Sequence, residues 1–167
     1  ERLQPTLITN NPRQSRCVLE EIIDELATCE EFFISVAFLT KSGVVVLMNS
    51  LIEARERGVN GKILVSEYLG FTQPEALRAL KQFNNVELRV ATTGNMHGKV
   101  YIFLRESHSS IIVGSSNLTA SALKANNEIN LKVSATRNSA IYYQVSEHLR
   151  ADFSNSVVAD DAYINNY

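Results

Sequence analysis

Apolar residues follow two different periods along the chain, and stretches of the two kinds alternate. Spacings of three and four residues, the period of one helical face, predict four helices. These helices cover about residues 18–28, 44–57, 74–83 and 139–153. Short, nearly continuous apolar runs are typical of buried strands, and they predict six strands, over residues 32–39, 62–66, 86–91, 98–104, 110–114 and 128–133. The polar stretch 105–109 predicts a hairpin turn between two of them.

Helices that alternate with apolar strands indicate an α/β fold. The chain is therefore predicted to form a mixed, mainly parallel sheet with helices on both faces. No repeat, low-complexity tract or linker divides the 167 residues, so 1–167 is expected to be one domain. We expect this domain to be part of a longer protein, because the sequence begins at Glu1 without an initiator methionine. The polar tail at 163–167 is predicted to be loosely held.

The composition excludes several classes of protein. Hydrophobic residues make up 45% of the chain and charged residues 20%, which excludes a wholly disordered chain. No apolar run approaches the roughly 18 residues of a membrane helix. The sequence shows no charged-then-apolar leader with a cleavage site, so we expect the domain not to be secreted. The protein is therefore predicted to be cytoplasmic, without a membrane partner. Cys17 and Cys29 are too few for a disulfide scaffold and lack the spacing of a zinc site.

Polar residues recur in pairs, two positions apart, on the last three predicted strands. His97 and Lys99 begin one strand, Ser115 and Asn117 follow the next within a GSxN sequence, and Glu128 opens the third together with Asn130. Residues two apart on a strand point to the same face. Neighbouring strands are about 4.8 Å apart, so these pairs are expected to share one site.

These residue types suit phosphoryl transfer. An imidazole can attack phosphorus or protonate a leaving oxygen. The ammonium of Lys99 and the polar groups of Ser115, Asn117 and Asn130 can bind the nonbridging oxygens of a phosphate. A carboxylate such as Glu128 can orient the imidazole. No cluster of carboxylates for a metal accompanies them, so the prediction is a mechanism without metal or cofactor.

The motif His97-Gly98-Lys99, then Gly114-Ser115-Ser116-Asn117, then Glu128 resembles the HxK…GSxN…E signature of the phospholipase D superfamily. The resemblance implies His97, Lys99, Asn117 and Glu128 as catalytic residues. It is strongest to N-terminal domains of bacterial superfamily II helicase-like proteins and to metal-independent restriction endonucleases. The family motif has an aspartate five residues after the lysine, and here that position is Leu104.

The resemblance implies a phosphodiesterase or nuclease that acts through a phosphohistidine, within a DNA helicase or a restriction-type protein. DNA is favoured over RNA as the substrate. With a net charge of −2, nucleic acid would be expected to bind in a local groove rather than over a basic surface, or with help from segments outside this sequence. Two other functions remain open: a non-catalytic DNA-binding module, and a lipid phosphodiesterase. The retained HxK pair favours chemistry, and the single motif counts against lipid.

The mechanism implied by the resemblance needs two imidazoles, and the chain has one HxK. His108, in the predicted hairpin turn, and His148, on the last helix, are expected to be solvated surface residues. We therefore predict a twofold homodimer in which two copies of His97 face each other in a composite site.

Overall fold

The computed structural model describes residues 3–11, 13 and 16–167. Eight strands follow the order of the chain: β1 (Gln4–Thr9), β2 (Glu31–Val36), β3 (Asn60–Ser66), β4 (Val86–Ala91), β5 (Lys99–Leu104), β6 (His108–Gly114), β7 (Ile129–Thr136) and β8 (Val157–Val158). The α-helices between and after them are α1 (Val18–Thr28), α2 (Lys41–Glu56), α3 (Pro74–Lys81), α4 (Ala120–Lys124), α5 (Ala140–Ser154) and α6 (Asp161–Asn165).

All eight strands form one sheet in the order β1-β7-β6-β5-β2-β3-β4-β8. The prediction of a mixed sheet is confirmed. Among the strands of the described residues, however, parallel pairing joins only β2 to β3 and β3 to β4, and the other five neighbouring pairs are antiparallel. The sheet is therefore not mainly parallel. The helices α2 and α3 connect β2, β3 and β4 as parallel crossovers, whereas β5 and β6 are joined by a short hairpin and β7 pairs antiparallel with β6 after a segment that contains α4. Outside the strands, an isolated parallel bridge links Leu39 to Leu118.

Helices cover both faces of the sheet, as predicted. On one face, α1, α2 and α3 bury apolar stripes against the even-numbered residues of β2, such as Phe32 and Ile34. On the other face, α5 lies over β5 and β6 and packs on Ile102, Leu104 and Ile111. Leu104 is thus a core residue beneath α5, at the end of β5 opposite to Lys99. The leucine at the family's aspartate position removes no group from the predicted site.

The α5 side of the sheet is only partly covered. Leu7 pairs with Leu131, Leu131 with Val113 and Val113 with Val100, so one apolar row crosses four strands. Leu7, Val113 and Leu131 in this row are exposed, as is the neighbouring Ile129. These four side chains are called the open sheet face below.

Several boundaries differ from the sequence-based expectation. The ladder of β2 ends at Val36, and α2 begins at Lys41, because Thr40 caps the helix by accepting a hydrogen bond from the amide of Gly43. The edge strands β1 and β8 were not predicted. The tail is also more tightly held than expected, since Ile164 of α6 is buried in the main core.

Candidate active site

One register row brings the predicted residues of the last strands together. Lys99 of β5 pairs with Gly114 of β6, which pairs with Asn130 of β7. The three positions share the sheet face that α1 and α2 cover, since Tyr101 and Ile112, two residues along, belong to that core. A Cβ atom at Gly114 would overlap the side-chain oxygen of Asn130 and the carbonyl oxygen of Ile129. Gly114 is therefore needed for this close approach.

The turn that follows β6 is anchored from two sides. The buried Tyr101 hydroxyl donates a hydrogen bond of 2.8 Å to the carbonyl oxygen of Ser116. Asn130 donates from Nδ2 to Oγ of Ser116 at 2.9 Å and accepts from the Ser116 amide at 3.4 Å. The side chain of Asn117, the next residue, therefore starts from a fixed backbone.

The amide group of Asn117 is oriented by the loop that follows β2. Its Oδ1 accepts hydrogen bonds from the backbone amides of Ala37 and Phe38, at 3.1 and 2.9 Å. These bonds distinguish the oxygen from the nitrogen of the side chain. Within the described residues, Nδ2 makes no hydrogen bond, so both of its hydrogens remain for a ligand. Asn117 thus serves as a structural acceptor and a free donor at once.

His97 lies in the loop between β4 and β5, and not at the start of a strand as predicted. Its side chain is exposed, and its ring meets the ring of Phe38 edge-on, with 6.0 Å between the centroids. Because Asn117 holds the Phe38 amide, Phe38 links the loop of His97 to the GSxN turn. The position of His97 therefore depends on this contact between two loops, and not on the alternation of side chains along a strand from which it was predicted.

Lys99 is buried, with 8% of its surface exposed. Burial lowers the pKa of its ammonium, and the nearby charge of Glu128 offsets this effect only in part. Among the residues that the structure describes, no carboxylate forms an ion pair with it. His97, Lys99 and Asn117 are called the open donor cluster below, because each has a polar group that makes no hydrogen bond or ion pair within the part of the chain that the structure describes. The N-terminus of α2 lies beside the Asn117 turn, where Thr40 donates from its amide to the Leu118 carbonyl oxygen at 3.2 Å, and its dipole favours an anion.

Glu128 contacts the site through Ser115. The Ser115 hydroxyl donates to the Glu128 carboxylate and accepts a 3.0 Å hydrogen bond from the amide of Ile129. Within the described chain, Glu128 makes no hydrogen bond to His97, so the predicted role of Glu128 in orienting that imidazole stays a prediction.

Asn130 has a different position from the one expected. Only 1% of its surface is exposed, and both ends of its amide are bound to Ser116. A phosphate contact was predicted for Asn130, but the structure makes it a support of the GSxN turn. The sequence could not distinguish the two roles, because a polar residue two positions from Glu128 fits either.

A cleft of about 340 Å³ opens beside His97, between its loop and α5. Its lining includes Met96, Val100, His148 and Asp152. His148 is mostly exposed, as predicted, and its Nε2 lies 3.7 Å from the carboxylate of Asp152. Its position next to the His97 cleft was not foreseen, because no spacing rule relates α5 to the loop after β4. His108 is the first residue of β6, at the end of that strand distant from the GSxN turn. Its Nε2 lies 3.3 Å from Nη1 of Arg105.

The open donor cluster is suited to bind a tetrahedral anion. It offers one cation, one oriented amide and one exposed imidazole at the same end of the interior strands β5 and β6, next to a helix N-terminus. Among residues 3–11, 13 and 16–167, no three His, Cys, Asp or Glu side chains come together as a metal-binding group. None of the described helices combines the length and the apolar character that crossing a membrane requires.

Comparisons with known proteins give one family and one fold. The family model described as "Cardiolipin synthase, PLD-like domain" matches residues 22–156. NucT from Helicobacter pylori superposes with a TM-score of 0.73 at 18% identity, over 94% of this chain and 99% of that one. The phospholipase D family member Nuc from Salmonella typhimurium gives 0.71 at 18% identity, over 94% and 98%.

A larger protein contains the same fold. The phosphatidylserine synthase of Haemophilus influenzae gives a TM-score of 0.67 at 14% identity, over 93% of this chain and 39% of that one. No curated protein sequence matches the chain. At such identities the solved structures establish the shared fold, whereas the family model establishes kinship.

Proposed function

The chain belongs to the phospholipase D superfamily, and from this premise we propose that it is a phosphodiesterase that cleaves nucleic acid through a covalent intermediate on His97. The observation that carries the proposal is the open donor cluster. Among the described residues, Lys99 is buried without an ion pair, and Asn117 is fixed by its oxygen while its nitrogen makes no hydrogen bond. A buried, unpaired cation such as Lys99 is unfavourable unless a ligand uses it, and the half-buried amide of Asn117 adds an oriented donor beside it.

In the first step of the proposed reaction, one ring nitrogen of His97 attacks phosphorus. The P–N bond forms as the bond to the leaving oxygen breaks, and a second imidazole gives that oxygen a proton. Lys99 and Nδ2 of Asn117 bind the nonbridging oxygens as their charge grows. In the second step, water attacks phosphorus, the deprotonated second imidazole accepts its proton, and the P–N bond breaks. None of these steps uses a metal ion, so we propose that the reaction is metal-independent.

We propose that the second imidazole is His97 of a second copy of the chain. The apolar row that includes Leu7, Leu131 and Val113 continues to Val100, which lines the His97 cleft. A partner seated on the open sheet face would therefore lie next to His97. Burial of these exposed side chains favours such a contact, and a twofold axis would bring two HxK motifs together.

The family also supports a second candidate substrate. The matching family model is described as a cardiolipin synthase domain, and the phosphatidylserine synthase of Haemophilus influenzae shares the fold. A lipid phosphodiester is thus the alternative substrate. Nucleic acid is the first choice, because the chain covers nearly the whole length of NucT and Nuc but only 39% of the phosphatidylserine synthase. A DNA-binding module without activity is the remaining alternative. A place in a helicase or restriction-type protein and a cytoplasmic location stay predictions.

The catalytic proposal is tested by the variant His97→Ala. We expect wild-type protein to cleave DNA oligonucleotides and a nitrophenyl phosphodiester, and His97→Ala to reduce both activities to background with unchanged circular dichroism. His108→Ala is the matched control, since His108 lies at the far end of β6. Oligonucleotide binding without cleavage by wild-type protein would identify a binding module, and cleavage of phosphatidyl diesters alone would identify the lipid alternative.

The composite site is tested at the open sheet face. We expect the wild type to sediment as a dimer at micromolar concentration, and Leu131→Lys to be a folded, inactive monomer. Val45→Lys is the control, because Val45 is equally exposed but lies on α2, at the opposite face of the sheet. A wild-type monomer that turns over would refute the dimer. His148, on the same cleft, would then be the imidazole to test, and His148→Ala would lose activity.

A further inference from the structure

Phe38 and Phe71 form an aromatic pair close to His97, and the exposed Leu69 lies two residues before Phe71 in the chain. Leu69 and Phe71 belong to the loop after β3 and have 63% and 55% of their surface exposed. Phe38, from the loop after β2, is half-buried, and its ring contacts those of Phe71 and His97. Phe38, Leu69 and Phe71 are called the apolar ridge below. Large apolar side chains at such exposure are normally scattered, so a group of them beside a catalytic residue points to a ligand.

The ridge is continuous with the catalytic site through aromatic contacts. The ring of Phe71 meets that of Phe38 edge-on at 4.9 Å, and Phe38 meets the ring of His97 edge-on at 6.0 Å. A substrate whose phosphorus lies against His97 therefore places its neighbouring unit along the ridge. For a nucleic acid that unit is a sugar and its base.

The loop after β3, which carries Leu69 and Phe71, has a strained backbone. Leu69 has a φ of 60°, a left-handed conformation that is rare for a bulky residue other than glycine. Glu67 fixes the start of the loop: its amide donates to the Ala91 carbonyl oxygen at 3.2 Å, and its carboxylate accepts from the hydroxyl of Tyr163 at 2.7 Å. Strain of this kind persists where the surrounding structure imposes it, and it is frequent at ligand sites.

We propose that the apolar ridge binds unpaired nucleobases on one side of the cleaved phosphate and so makes single-stranded nucleic acid the preferred substrate. This inference rests on the proposed function and specifies its substrate. Aromatic rings that stack on bases are a general means of binding single strands without sequence preference. In a duplex the faces of the bases are already stacked on one another, so Phe71 has no base face to contact.

The charges around the ridge favour a nucleobase over a membrane surface. Residues 67–77 contain two glutamates and no lysine or arginine. Segments that dock on anionic membranes usually combine apolar side chains with several basic ones. Residues 67–77 themselves lack that basic component; the basic residues next to them are Arg78 and Lys41, whose amide donates to Gln73 at 2.9 Å.

Binding measured in the His97→Ala background tests the ridge independently of cleavage. Fluorescence anisotropy would compare a labelled single-stranded oligonucleotide, its duplex and an oligonucleotide with consecutive abasic sites. Adding Phe71→Ala should weaken binding of the single strand about 5- to 150-fold and leave binding of the duplex and the abasic strand unchanged. Phe71→Trp should restore or strengthen single-strand binding. Tyr143→Ala, which removes an exposed aromatic ring on α5, is the matched control.

The outcomes separate this inference from the proposed function. Equal binding of all three ligands by Phe71→Ala and its parent would overturn the ridge and leave the nuclease proposal intact. Failure of the wild type to bind or cleave any nucleic acid would overturn both. Loss of the dimer in Phe71→Ala, or Phe71-dependent binding to phosphatidylglycerol vesicles, would assign the ridge to a subunit contact or a membrane and would contradict a base-binding role. Leu69→Ala gives an independent second variant.

Discussion

Two lysines on the same sheet face, Lys99 of β5 and Lys132 of β7, have opposite surroundings. Lys132 donates to Glu25 at 3.2 Å and also pairs with Glu21. Burial alone would lower the pKa of Lys132, but these two carboxylates raise it overall. Lys99 is buried and forms no ion pair with any residue that the structure describes, and burial lowers its pKa.

The difference separates charge used for the fold from charge held for a ligand. Arg105 donates to Glu25 at 2.7 Å, so Glu21, Glu25, Arg105 and Lys132 form a closed ion cluster between α1 and the sheet. Its charges neutralise one another. In the open donor cluster the neutralising group is missing, and a phosphate diester would supply it. Substitutions in the closed cluster should therefore affect stability, and those in the open cluster activity.

The largest contrast is expected between two matched substitutions. Lys99→Met should lower kcat about 10²–10³-fold without loss of stability, because it removes a buried charge that has no protein partner. Lys132→Met should lower the free energy of unfolding by about 1–3 kcal/mol and leave kcat of the folded protein unchanged. Urea unfolding and oligonucleotide cleavage measure the two effects. Equal effects of both substitutions on kcat would remove the distinction between the clusters.

A second prediction separates the two functions of Asn117. Asn117→Asp keeps an oxygen for the amides of Ala37 and Phe38 but has no N–H donor and adds a negative charge. It should lower kcat about 100-fold while stability is retained. Asn117→Ala should lose activity and also about 1–3 kcal/mol of stability, because two backbone amides lose their acceptor. An active Asn117→Asp variant would show that Nδ2 does not bind substrate.

The pH dependence of the two lysines should differ in sign. A lowered pKa of Lys99 means that stability increases as pH rises through that pKa, below the ordinary value of 10.5. The raised pKa of Lys132 contributes stability below 10.5 that is lost as pH rises through the higher value. NMR titration of labelled lysines should show Lys99 losing its proton first. Vanadate should raise the pKa of Lys99 and leave that of Lys132 unchanged; no response of Lys99 would exclude it as an anion ligand.

The smallest effect is expected from chelation. The proposed steps use an imidazole, an ammonium and an amide, so cleavage should continue at its full rate in excess EDTA. Activity after EDTA treatment, with and without added magnesium or manganese, measures this. A strict requirement for either ion would mean that another group of residues performs the reaction.

The sequence contained most of the framework. The six predicted strands correspond to β2–β7, and the four predicted helices to α1, α2, α3 and α5, because their apolar runs fill the two cores of the sheet. The spacing of Lys99 and the GSxN residues also located three neighbouring strand ends correctly. Local periodicity is informative where burial is extensive.

The details of the site depend on contacts distant in sequence. The hydrogen bond between Asn117 and the amide of Phe38 joins residues 79 positions apart, and it turns an apolar residue of an expected strand into a neighbour of His97. Asn130 was expected to bind phosphate, but its partner Ser116 is buried with it. The apolar ridge was not predicted, because nothing in the sequence distinguishes Leu69 and Phe71 from apolar residues of the core.

The two margins of the sheet have a consequence for the protein at high concentration. In β1, Pro5 has no backbone N–H to donate, and β8 contains only Val157 and Val158. Free strand edges are templates for chain-to-chain β-pairing, and prolines and very short edge strands prevent it. A monomer released by Leu131→Lys should therefore remain dispersed at high concentration and not grow into cross-β fibres.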